Sequence, residues 1–172
     1  ECYLGGLRDA ANELGLVLWC EPYGHWGFPS DFTIYGGYAD QVAGEFLSNG
    51  GKQNIECRAA SSIAHIYGKS RAYAEAFTSS LNLADTPYTF KACGERMFCY
   101  GINHFVLHVY AHQPRDGGMP GKNARFGTAF HRNTPWFNEA QSWVQYLQRC
   151  HTMLQWGAPN ADVLVYIGDF AP

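Results

Sequence analysis

Acidic side chains recur at the ends of short apolar runs in this sequence. Glu21 follows LVLWC (residues 16–20), Glu45 lies in QVAGEF (41–46) and Glu75 interrupts RAYAEAF (71–77). His108 lies in HFVLHVYA (104–111), His112 follows it, and Asp169 follows DVLVYIG (162–168). A buried carboxylate without a partner is costly enough that it takes up a proton or finds one. Glu75, flanked by Ala74, Ala76 and Phe77, therefore calls for an adjacent cavity. Sugar hydrolysis uses carboxylates in this way, one protonated as general acid and the other ionised as base or nucleophile. A hard cation such as Ca2+ uses them as oxygen ligands instead.

Each residue also has an ordinary reading. Glu21, before Pro22, fits a surface position at a strand end, and Glu45 fits a turn cap. His108 alternates with Phe105 and Leu107 and fits a hydrogen-bonded core histidine; His65 and His151 read as structural. Arg132 and Trp136, before the last helix, suit hydrogen bonding to and stacking on a sugar, or capping of a barrel.

The elements that must position these groups follow from periodicity. Leu4, Leu7, Ala11 and Leu14 predict a helix stopped at Gly15. Asn54 is placed to cap a second helix, with Ala59, Ile63, Ile66 and Tyr67 on one face and Gly68 as its stop. Thr86-Pro87 opens a third, to about Tyr100, and residues 139–156 form a long amphipathic fourth. The five apolar runs are strand candidates, and a loop around residues 25–40 has room for a short helix. Residues 112–135 are too long for a simple connector and read as a functional loop. Helices alternating with strands predict an α/β fold with a parallel sheet: a partial (β/α)8 TIM-type barrel, about five strands and four helices. In such a barrel the carboxyl ends of the strands converge on one mouth. An open doubly wound sheet would go with a Gly-rich phosphate loop, and the sequence has none.

Charge narrows the partners. The formal charge is −3 and there is no basic run, which argues against nucleic acid. No stretch reaches the roughly 20 apolar residues of a membrane span. The start, ECYLGGLRD, has neither an initiator Met nor a signal pattern, so the chain reads as a fragment. The six cysteines lack zinc spacing and read as buried small hydrophobes. Cys93 and Cys99 would pair only if their helix broke at Gly94.

Taken in order, LWCEPYG, AGEF, SSIAHIYGKSRAYAEAFTS, INHFVLHVYAHQP, FGTAFHRNTPWF and YLQRCHTMLQWGAPNADVLVYIGD resemble glycoside hydrolase family 106, the α-L-rhamnosidases. The likeness covers nearly the whole chain. It implies a multidomain, periplasmic or extracellular enzyme built on a (β/α)8 barrel, removing terminal α-linked L-rhamnose from rhamnosides by an inverting, calcium-assisted mechanism. By position, Glu75 resembles the general base, with Glu45 as its catalytic rival. Glu21 and Glu45 resemble pocket carboxylates that hold sugar hydroxyls or calcium. The substrate-binding candidates also include Tyr23, His108, His112, Arg132 and Trp136.

Two departures stand out. The family's upstream Asp-Ser-aromatic-Glu segment, the source of the general acid, is not in this chain, and Leu47 follows AGEF where the family has Trp. The fragment is accordingly expected to be inactive or barely stable alone, with open sheet edges. Two other readings of the same carboxylates are a retaining barrel glycosidase with Glu75 as nucleophile and a non-catalytic carbohydrate-binding protein.

Overall fold

The computed structural model describes residues 2–22, 31–49, 55–79, 83–115 and 118–166. In chain order the elements are α1 (Leu4–Glu13), β1 (Trp19–Cys20), α2 (Phe32–Gly37), β2 (Gln41–Leu47), α3 (Ile55–Ile66), β3 (Ala72–Thr78), α4 (Pro87–Cys99), β4 (His104–Leu107), a 3-10 turn (Phe137–Glu139) and α5 (Ala140–Leu154). The strands form one parallel sheet in the order β1-β2-β3-β4. This is the parallel α/β architecture that the alternation of elements predicts.

Local signals explain the boundaries. Asp31 caps α2 by accepting from the Thr33 and Ile34 amides. Thr86 caps α4 within a reciprocal box with Thr89, and Pro87 occupies the first turn where no amide is missed. In α3 the buried stripe is Ala59, Ala60, Ile63 and Ala64, while Ile66 and Tyr67 are exposed. The predicted face was thus rotated, and its predicted cap, Asn54, lies outside the described residues. Alanines suit the observed stripe because α3 sits very close to the sheet. A Cβ on Gly44 would lie 2.6 Å from the Glu56 carbonyl oxygen and 2.8 Å from the Cys57 amide nitrogen.

The sheet has two chemically different sides. Val42 and Phe46 of β2, Ala72, Ala74 and Ala76 of β3 and Phe105 of β4 belong to the core under the helices. Phe77 packs there among Phe46, Phe90, Phe105 and Trp143, with ring centroids 4.9–5.5 Å apart. The opposite side carries Trp19, Gln41, Ala43, Glu45, Tyr73, Glu75, His104 and Val106. Trp19 and His104 flank Tyr73 on this side, and Val106 is 42% exposed.

Two strand predictions are corrected. The HFVLHVYA ladder stops at Leu107 because the chain then pairs with its own long loop: Val109 N–H donates to Thr128 O and Phe130 N–H donates to Val109 O. In the last run, residues 162–166 form no ladder, and Val163, Leu164 and Val165 are 75%, 87% and 72% exposed. An apolar run becomes a strand only where a free edge accepts it, and α5 meets the outer edge of β4, where Phe105 N–H donates to His151 Nε2 at 3.3 Å. The described sheet therefore has four strands; Ile167 and Gly168, the rest of that run, and Asp169 lie outside the described residues. The six cysteines are free, and α4 runs unbroken through Gly94, so Cys93 and Cys99 do not pair. Among the described residues no helix is long and apolar enough to cross a membrane.

His151 ties α5 to β4 only while Nε2 keeps its lone pair. Burial first, and then the neighbouring His104, push its pKa down to about 4, and the two rings stack at 5.1 Å. Folded His151 thus resists a proton that the unfolded chain accepts near its ordinary value of about 6.5. Stability from this contact is complete above pH 6.5 and is lost as pH falls towards 4. Hydrogen exchange in the intact protein should show protection of the Phe105 amide falling over that window, and His151→Leu should abolish the pH dependence.

Candidate active site

The register places the carboxylates. Glu45 and Glu75 are direct partners across the β2–β3 ladder, so both project from the side opposite the helices. Neighbouring strands stand about 4.8 Å apart, which makes the two residues nearest neighbours. Glu75 is the one half-buried position of β3, its side chain 22% exposed, and Glu45 is half-buried in β2, as are Gln41 and Leu47 at its ends. The carboxylate that looks stranded in the sequence therefore opens onto the face that the helices leave uncovered.

Just beyond Glu75 the alternation breaks. Phe46 pairs with Ala76 but Leu47 pairs with Thr78, so Phe77 is an extra residue, a β-bulge with φ +63°. Phe77 consequently turns into the helix-side core, and Thr78 takes the place beside Glu75. The Thr78 hydroxyl donates to Glu75 Oε1 at 2.5 Å. His108, just past β4, brings Nδ1 to 3.7 Å from the same oxygen, an ion-pair distance when the ring is protonated. That Nδ1 is buried and makes no hydrogen bond. Gly127 (φ +111°) backs the ring so closely that a Cβ there would lie 2.5 Å from Nδ1.

Two thiols support the end of β2. Cys57 from α3 donates to Glu45 O and Cys93 from α4 donates to Leu47 O, each at 3.5 Å. Burial first, then Cys93 and Glu45, push the Cys57 thiol up to about 12, so it keeps the proton that it donates. Sequence patterning missed Thr78, Gly127, Cys57 and Cys93. Only the glycine, in a turn-rich stretch, carries any local signal.

The other predicted site residues divide. Alternation continued one residue past β1 puts half-buried Glu21 on the Glu45 side, and after burial its charge raises the Cys20 thiol. Tyr23 lies outside the described residues. His112 and Arg132 are exposed in the long loop. Trp136 is turned to the helix side: its indole N–H donates to Asp85 O at 2.9 Å and its ring packs on Phe90, Phe130 and Trp143. The structure brings together Glu45, Glu75 and His108, and not Trp136.

The loop itself is internally braced. The Gln113 side chain donates to the Ala111 and Lys122 carbonyls and accepts from the Lys122 amide. Buried His131 pairs with Asn123 at 2.7 Å, and the Thr128 hydroxyl donates to Phe77 O at 2.5 Å. These bonds hold residues 127–131 against the ends of β3 and β4. A cavity of about 280 Å³ between Lys69, Asn103 and Trp156 lies at the opposite, amino ends of those strands and is separate from the carboxylates.

For calcium, Glu21 and Glu45 are donors of the right kind, hard oxygens on one side of the sheet. Among the described residues, however, no group of three or more His, Cys, Asp or Glu could hold a metal ion. Calcium takes about 6–8 oxygen ligands, so the described residues do not make a complete site. Trp136→Phe, which keeps the aromatic packing and removes the donor to Asp85, should cost about 1 kcal/mol in denaturation.

Comparison with known proteins bears on the whole chain. The family model described as alpha-L-rhamnosidase, glycoside hydrolase family 106, matches residues 1–172. A protein of Formosa agariphila described as "Putative beta-glucuronidase" is 37% identical over 170 residues, which is 99% of this chain and 14% of that protein. The solved rhamnosidase of Novosphingobium sp. PP1Y superposes with a TM-score of 0.81 at 30% identity, over 91% of this chain and 16% of that one. The chain thus spans about one-seventh of the length of these relatives. With parallel β2 and β3 setting Glu45 beside Glu75, and the family match running end to end, the chain belongs to glycoside hydrolase family 106.

Proposed function

We propose that this chain is part of the catalytic domain of an α-L-rhamnosidase. In this reading the four described parallel strands belong to a (β/α)8 barrel, and terminal L-rhamnose is released at the mouth where Glu45, Glu75 and His108 meet. The carrying observation is the pairing of Glu45 with Glu75 on the uncovered side of the sheet, with Glu75 next to His108. The like-charge repulsion of two adjacent carboxylates is hard to account for in a purely structural face, and sugar hydrolysis or cation binding requires such a pair.

Contacts support the roles. With Thr78 and His108 on one of its oxygens, Glu75 acts as the base that activates water, Glu45 holds sugar hydroxyls, and the general acid, whose segment is not in this sequence, comes from elsewhere in the protein, an inverting pair standing about 6.5–9.5 Å apart to admit water. Calcium, if bound by Glu45 and Glu21 with ligands from elsewhere in the protein, would supply positive charge to hold those hydroxyls. Tyr23, His112 and Arg132 complete the expected sugar contacts. A periplasmic or extracellular location accords with a polymeric or glycosidic substrate.

A second reading is a retaining glycosidase, and the description of the Formosa relative would make its substrate a glucuronide. Glu75 would then be nucleophile, with Glu45 as acid/base about 5 Å away. A glucuronide carboxylate needs a cation beside it, whereas the strand residues described on this face include two glutamates and no Lys or Arg. That charge pattern suits a neutral sugar such as rhamnose.

In the intact protein Glu75→Gln should reduce turnover of an aryl α-L-rhamnoside by roughly 10²–10⁴-fold while rhamnose binding persists; unchanged hydrolysis would refute the assignment. NMR of the first-formed product should show the inverted anomer, and a retained anomer would select the second reading. Chelation should lower both activity and melting temperature. If neither moves, calcium has no part in the enzyme.

A further inference from the structure

We infer that Thr78 is a positioning residue for Glu75, aiming one carboxylate oxygen at the reacting water by holding the other. This rests on the reading of Glu75 as the base. Among the described residues, both of its polar side-chain contacts fall on Oε1, namely the Thr78 hydroxyl at 2.5 Å and His108 Nδ1 at 3.7 Å. Oε2 is the oxygen left to meet a water.

The geometry exists only because of the bulge. In a regular strand Phe77 would stand on the Glu75 side and Thr78 would point into the core. At φ +63° Phe77 is inserted, and the two side chains exchange sides. Three interactions hold the exchange. Phe77 is fully buried among four aromatic rings, its carbonyl accepts from the Thr128 hydroxyl at 2.5 Å, and the shifted Thr78 carbonyl accepts from the Ser48 amide at 2.9 Å. Non-glycine residues rarely occupy this backbone region, and where they do the surroundings must enforce it, often at functional sites. Thr78 is itself buried, so its hydroxyl has little access to competing water.

A donor held on one carboxylate oxygen fixes the rotamer of the group. The test compares Thr78→Val and Thr78→Ser in the intact protein with wild type and Glu75→Gln. Thr78→Val keeps the shape and removes the donor. It should lower kcat roughly 10- to 100-fold and leave KM nearly unchanged, while Thr78→Ser, which restores the donor, recovers most of the loss. The inference fails if Thr78→Val keeps the wild-type kcat, if its loss falls on KM instead, or if Thr78→Ser is as impaired as Thr78→Val, which would make the effect one of packing. Glu75→Gln separates the two claims. If it abolishes turnover and Thr78→Val changes nothing, the positioning role alone is wrong; if it leaves turnover intact, the base assignment falls and takes the positioning role with it.

Discussion

The β2–β3 ladder is the constraint on which the rest of the molecule depends. Parallel pairing in this register aligns Val42 with Ala72 and Phe46 with Ala76 on one side, and Glu45 with Glu75 on the other. A slip of either strand by one residue would drive its carboxylate into the helix layer and turn its core residues outward. The register is held from the helix side, where α3 lies against β2 closely enough that Gly44 has no room for a side chain. Thiols from α3 and α4 then take up the Glu45 and Leu47 carbonyls at the strand end. The packing that fixes one face thereby fixes the chemistry on the other.

The same coupling explains why an apolar residue governs a polar site. Burying Phe77 contributes about 1.5–3 kcal/mol, and its edge-to-face contacts with Phe46 and Phe105 add to that. Together these offset the roughly 1–3 kcal/mol that a positive φ costs a non-glycine residue. The bulge is therefore sustained by the aromatic core, while its consequence appears on the carboxylate side as the Thr78–Glu75 bond. The loop after β4 works in the same direction. Its braced segment delivers Thr128 to the Phe77 carbonyl and Gly127 to the back of His108, so one loop supports both partners of Glu75.

Several features were legible in the sequence for plain physical reasons. Alternating helix and strand patterns with caps such as Thr86-Pro87 specify a parallel α/β sheet, and Glu75 within an alanine-rich strand announces an opening to solvent. Other features were not legible because they depend on partners distant in the chain. The stripe on α3 follows the close approach of β2, so alanines displaced Ile66 and Tyr67 from the core. The outer edge of β4 meets His151, and the apolar run at 162–166 joins no strand ladder. Trp136 has the composition of a sugar platform, yet the aromatic cluster and the Asp85 carbonyl hold it on the other side.

The sequence by itself determined the class of fold, the family, and the carboxylates worth attention, because periodicity, caps and unusual residues are local properties of the chain. Tertiary structure decided which of those groups meet. Register between strands far apart in sequence set Glu45 beside Glu75, and a single inserted residue turned Thr78 towards the carboxylate. Alternation alone predicts the reverse orientation for Phe77 and Thr78, since the energy that overrides it comes from aromatic contacts with α4, α5 and neighbouring strands that no local pattern records.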